Sequence, residues 1–179
     1  MNSPRRSYQS GLLTTMVARL LLLSIFWSLG LGGMDARAQG GASEYAVKAA
    51  FISKFRQFVK GPSGAGLSGS VGLIGEDAFG GELDRVGKVK RGSRAEDVKG
   101  CSIVFISKSE RNAGGIISGL AGTNTLTVGE ADGFAKQGGV IGFTLEGDKV
   151  RFEINMGAAK RNGLTIDPRL AGLAVRLIQ

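Results

Sequence analysis

Hydrophobic and polar positions alternate along this chain with periods that change from segment to segment. After Ser43, Val47, Phe51, Phe55 and Phe58 recur at spacings of four, four and three, with Ile52 and Val59 widening the stripe. Lys48, Lys54, Arg56, Gln57 and Lys60 fall largely on the opposite side, so the segment predicts an amphipathic helix docked on a sheet. Ser43 is placed to cap this helix and Gly61-Pro62 to stop it. Residues 71–74 (VGLI) form a short apolar run consistent with a buried strand, followed by a turn at Gly75-Glu76-Asp77. Residues 79–86 predict a short helix with Leu83 and Val86 inward. Residues 102–106 (SIVFI), apolar and β-branched, predict a central strand. A short helix over 112–120, a strand over 125–128 and a turn or short helix over 132–136 continue the order. Helices and strands in this alternation predict a mainly parallel sheet flanked by helices.

The pattern then changes. Residues 140–145 and 150–154 are joined by Glu146-Gly147-Asp148-Lys149, a tight-turn composition. Val150, Phe152 and Ile154 alternate with Arg151, Glu153 and Asn155, which predicts a half-buried antiparallel hairpin. Asn155 can cap a short helix over 156–161, ended by Asn162-Gly163. Residues 164–166 read as extended. Asp167-Pro168 marks the start of a terminal helix with Leu170, Leu173, Ala174 and Leu177 as its inner stripe. The reading is therefore one α/β domain over residues 44–179, with a C-terminal hairpin and terminal helix.

Ahead of that domain stands a segment of another kind. Arg5, Arg6 and Arg19 precede a 12-residue apolar run from Leu20 to Leu31. A helix of that length reaches about 18 Å, short of the roughly 30 Å hydrocarbon core of a membrane. Ala36-Arg37-Ala38 then supplies the small-x-small pattern of a signal-peptidase site. Residues 1–38 are thus expected to be a cleavable export signal, with Gln39 the first mature residue and 39–43 a flexible leader. The alternative is an uncleaved N-terminal anchor.

Composition narrows the chemistry. The 179 residues carry 23 Lys and Arg against 15 Asp and Glu, a formal +8. Removing Arg5, Arg6, Arg19, Arg37 and Asp35 with the signal leaves 19 basic and 14 acidic residues, a net +5 too mild to argue nucleic-acid binding. Histidine is absent, which removes the commonest general base and metal ligand. Cys101 stands alone, so an internal disulfide and a multi-cysteine zinc site are excluded, and its apolar strand context reads as a buried small hydrophobe. The turn from Gly75 to Glu82 follows a strand but lacks the Lys and Ser/Thr of a phosphate loop. Glu76/Asp77 and Glu146/Asp148 are carboxylate pairs in turns, where they serve backbone hydrogen bonding. Lys88, Lys90, Arg91 and Arg94 read as a solvated edge strand and loop, with an acidic partner or anionic envelope surface as the alternative. No catalytic, cofactor-binding or metal-binding residue is assigned, and no partner-binding residue either.

Particular strings add a family likeness. Tyr45-Ala46-Val47-Lys48-Ala49-Ala50-Phe51 with Lys54-Phe55 resembles the opening helix of the YfiR-like periplasmic proteins, and residues 101–106 resemble that family's central strand. The likeness continues through Leu126-Thr127-Val128, Gly133-Phe134-Ala135, Gly138-Gly139-Val140-Ile141 and Arg151-Phe152-Glu153-Ile154-Asn155. Ala158-Ala159, Gly163-Leu164-Thr165-Ile166, Leu170 and Leu173 follow in order, so it covers roughly residues 44–178.

The resemblance implies a small periplasmic regulator, often dimeric, without cofactor or enzymatic activity. Its implied partner is the periplasmic sensor region of an inner-membrane diguanylate cyclase, held down until an OmpA-type outer-membrane lipoprotein releases it for cyclic-di-GMP synthesis and biofilm growth. Relatives that carry disulfides differ from this chain, whose Cys101 leaves only an intermolecular one. Two other readings stand beside it: a small-molecule binding module feeding a sensor kinase or other receptor, and a secreted enzyme of unfamiliar type.

Overall fold

Helix α1 (Ala36–Phe58) opens the part of the chain that the computed structural model describes, residues 36–179, with side chains described from residue 44. The export signal expected over residues 1–38 lies outside the described residues up to position 35. Residues 39–43, expected as a leader, are helical, and Ser43 lies inside α1 rather than capping it. The segment has no proline, and its alanines favour the helix enough to carry it through Gly40 and Gly41. At its other end α1 passes directly into strand β1 (Val59–Lys60).

Seven strands make the main sheet: β2 (Val71–Ile74), β3 (Val89–Gly92), β4 (Ile103–Ile106), β5 (Leu126–Gly129), β6 (Ile141–Glu146), β7 (Lys149–Asn155) and β9 (Arg176–Ile178). Their order is β3-β2-β4-β5-β6-β7-β9. Pairing is parallel from β3 through β6, antiparallel between β6 and β7, and parallel again between β7 and β9. The α/β class, the mainly parallel sheet and the C-terminal hairpin are as the sequence predicts. Glu146 faces Lys149 across a two-residue turn, in which Gly147 takes φ +60. A separate pair joins β1 to β8 (Thr165–Ile166) in antiparallel fashion, Val59 opposite Ile166.

Side chains alternate across the sheet and so divide the interior into two cores. On one side Leu73, Ile103, Phe105, Leu126 and Val128 meet Ile52 and Phe55 of α1. Phe55 and Phe51 pack edge-on against Phe152, with ring centroids 5.3 and 5.4 Å away. On the other side Ile74, Val104 and Ile106 meet Phe134 and helix α2 (Ala113–Gly119), which presents Ile116 and Ile117. Phe134 lies in a slot between two glycines. A Cβ on Gly129 would fall 2.3 Å from its ring and one on Gly139 2.0 Å. Neither glycine has positive φ, so both are needed for closeness rather than for backbone freedom.

Both expected caps form. Asn155 accepts a hydrogen bond from the Ala158 N–H at 2.7 Å at the head of helix α3 (Met156–Arg161), and Asp167 accepts one from the Arg169 N–H at 2.8 Å at the head of α4 (Pro168–Ala171). Two expectations need correcting. The helix over 79–86 shrinks to one 3-10 turn, Leu83–Arg85, because Gly80 and Gly81 take φ of +57 and +92, outside the helical region. The terminal helix is also a single turn. Gly172 ends it, and the following residues leave the helix to pair as β9 with β7. The expected inner stripe therefore splits: Leu170 is buried, whereas Leu173 and Leu177 are 65% and 45% exposed.

Candidate functional site

Open parallel sheets bind ligands beyond the carboxyl ends of their strands, where the chain order reverses direction. Here that point lies between β2 and β4, since the chain leaves β2 for β3 on one side and returns to β4 on the other. The crest carries Gly75-Glu76 after β2, Ser107 to Ser109 after β4 and Glu130 after β5. Ser109 Oγ accepts from the Glu76 N–H at 2.9 Å and stands 3.2 Å from Ser107 Oγ. Glu130 accepts from Lys48 Nζ at 2.5 Å, Tyr45 Oη at 3.0 Å and the Lys108 N–H at 3.3 Å, with Ser107 Oγ at 3.5 Å.

Lys48 and Glu130 have side chains only 4% and 3% exposed, and Lys48 also touches Glu44. Burial, followed by the charge and hydrogen bond of Glu130, raises the Tyr45 hydroxyl above its ordinary pKa. The crest is thus filled by the chain's own polar groups, each held by another. It fastens α1 to the ends of β4 and β5.

The sequence reading placed Lys48 on the solvent face and overlooked Glu130. The signal was present: Tyr45, Lys48, Ile52, Phe55 and Val59 recur at spacings of three, four, three and four. Treating lysine as polar hid its place on the buried line. Glu130 had no local signal, because its partner lies 82 positions away.

The motifs weighed from sequence resolve as follows. β3 is an edge strand as expected, but its basic patch is partly neutralised. Arg91 reaches Asp77 at 2.7 Å and Asp84 at 3.0 Å, and Arg94 reaches Asp97 at 3.5 Å. Asp77 also accepts from the Phe79 N–H at 3.0 Å, the turn role expected of it. Asn155 is buried and donates to the Ala135 carbonyl at 2.7 Å, so it leaves the polar face it was expected to share with Glu153. Glu153 pairs with Arg176 at 3.0 Å. Cys101 is buried, and that burial pushes its thiol pKa up, leaving it without thiolate character. Among the described residues no group of three or more carboxylate or thiol side chains could hold a metal ion, and no helix is long and apolar enough to cross a membrane.

Two exposed surfaces remain. A groove of about 730 Å³ runs between α1 and the β6–β7 hairpin, floored by Val47, Phe51 and Leu145 and flanked by Glu44, Lys149 and Arg151. The other surface is the sheet edge at β9, where Leu173, Val175 and Leu177 are exposed.

The family model described as DUF4154, YfiR/HmsC-like, matches residues 45–175. No curated protein matches the sequence. Among solved structures, a conserved domain protein from Vibrio cholerae O1 biovar El Tor is similar at 13% identity and a TM-score of 0.56, over 74% of this chain and 60% of that one. The ABC domain from Streptococcus pneumoniae, solved in complex with L-Trp, is similar at 12% identity and a TM-score of 0.56, over 75% of this chain and 60% of that one. At these identities the likeness shows the fold alone, and the chain spans 60% of the length of each.

Proposed function

The chain belongs to the YfiR/HmsC-like family, and from that membership we propose that it is a periplasmic repressor of an inner-membrane diguanylate cyclase, acting on the cyclase's periplasmic sensor region. The family supports a periplasmic regulator rather than a catalyst. The observation that carries the reading is the crest: where this architecture puts ligands and reacting groups, Lys48, Glu130 and Tyr45 hold one another. Action by contact requires that the protein bind the inactive receptor better than the active one, since equal affinity shifts nothing. An OmpA-type outer-membrane lipoprotein would relieve the repression by competing for the regulator.

Two measurements test this. Purified mature protein is expected to form a binary complex with the detergent-solubilised receptor without added ligand, and deletion of the gene is expected to raise cellular cyclic-di-GMP. Failure to recover a receptor across several salt concentrations, or an unchanged cyclic-di-GMP level, overturns the cyclase reading. A complex that forms only with a small molecule favours the second reading, a ligand-binding module feeding a sensor kinase, for which the Val47–Leu145 groove offers the space.

Export is part of the same proposal. Mass spectrometry of protein from the envelope fraction is expected to find Gln39 as the first residue, and a retained Met1 or Asn2 would contradict cleavage after Ala38.

A further inference from the structure

The two edges of the main sheet are finished differently. β3 carries Lys90 and Arg91, exposed charges that discourage a further strand from pairing there. β9 has no such protection. It is hydrogen-bonded to β7 alone, and at the end of the strand order its other side is free of a strand partner among the described residues. Its approach and body expose Leu173, Val175 and Leu177, spaced by two as side chains on one face of an extended segment are. The charge around this edge is one-sided. From Lys149 to the end of the chain there are six basic residues and two acidic ones, and both acids are already paired, Glu153 with Arg176 and Asp167 with Arg169.

We propose that the β9 edge binds an extended acidic segment of a partner protein as an added strand. Main-chain hydrogen bonds to β9 would supply affinity, apolar side chains at alternate positions would cover Leu173, Val175 and Leu177, and carboxylates between them would face the basic surroundings. The partner is the one named under the proposed function, and the inference rests on that reading for its identity. The short edge suits a peptide better than a second copy, since three residues of paired strand bury far less than the roughly 1,200–2,000 Å² of a stable protein–protein interface.

The test uses the mature protein and three synthetic ten-residue peptides: alternating valine and glutamate, the same with lysine for glutamate, and the acidic one N-methylated at alternate backbone positions. The acidic peptide is expected to slow hydrogen exchange of the amides at 175–178 and to bind roughly tenfold or more tighter than the lysine peptide. N-methylation is expected to abolish binding, as is Leu177→Lys or Val175→Lys in variants whose Tm matches wild type. Equal binding of the acidic and lysine peptides, undiminished binding of the N-methylated one, or protection elsewhere overturns the proposal. So does protection of 175–178 that grows with protein concentration in the absence of peptide, because a second copy would then own the edge. Receptor co-purification separates the two readings. If wild type and Leu177→Lys recover the receptor equally, the edge proposal falls while repression stands. If wild type recovers none but the acidic peptide binds as described, repression falls and the edge proposal stands.

Discussion

Lys48→Met is expected to destabilise the protein by about 3–5 kcal/mol, because it leaves the Glu130 carboxylate buried without its cation. Three donors would remain on Glu130, from Tyr45, Ser107 and the Lys108 backbone, but all are neutral. Glu130→Gln is expected to be milder, since Lys48 keeps Glu44, whose side chain is 25% exposed and partly hydrated. The double variant Lys48→Met with Glu130→Leu removes both charges, and it is expected to recover most of the loss, because an apolar pair of similar volume is no worse than a buried ion pair. Thermal and urea unfolding followed by circular dichroism would read these differences. A loss of about 4 kcal/mol in a domain of this size lowers Tm by roughly 10 °C or more. If Lys48→Met stays within about 1 kcal/mol of wild type, the pair behaves like a surface bridge and does not fasten α1 to the sheet.

The slot around Phe134 is the second place where one atom should matter. Gly139→Ala puts a Cβ 2.0 Å from the ring and Gly129→Ala one 2.3 Å from it, so the ring, or the backbone beside it, must move. Overpacking of this kind destabilises by about 1–3 kcal/mol or more. Phe134→Ala empties the slot instead and is expected to lose about 3–5 kcal/mol. The diagnostic result is coupling: Gly139→Ala should be far less damaging in a Phe134→Ala background, because the added methyl group then enters the vacated space. Additive losses would mean that Gly139 acts through the backbone and not through the ring.

Much of the fold was legible because it is written in short range. Residues 71–74 and 103–106 are uninterrupted apolar runs bounded by turns, and the 141–155 hairpin has both alternation and a two-residue turn. Asn155 and Asp167 sit where caps sit. What stayed hidden depends on distant partners or on competing local fits. Residues 175–178 suit a helix stripe as well as a strand, and only β7, folded elsewhere, decides between them. The glycines at 80 and 81 were read as part of a helix, although their backbone conformation forbids one. Of the candidate contact surface, the single legible hint was the apolar spacing of two at 173, 175 and 177, which a helical reading of the same leucines concealed.

The aromatic packing of α1 has a consequence for the order of assembly. Phe51 and Phe55 come early in the chain, yet the rings that cover them, Phe143 and Phe152, come late. While the strands between are still being laid down, this helix has an oily face and nothing to set it against. Contacts so far apart in the chain close slowly, and a waiting apolar face invites clumping. A newly delivered chain therefore passes through a vulnerable interval that ends only when the hairpin arrives, and crowding or heat would do its greatest harm during that interval.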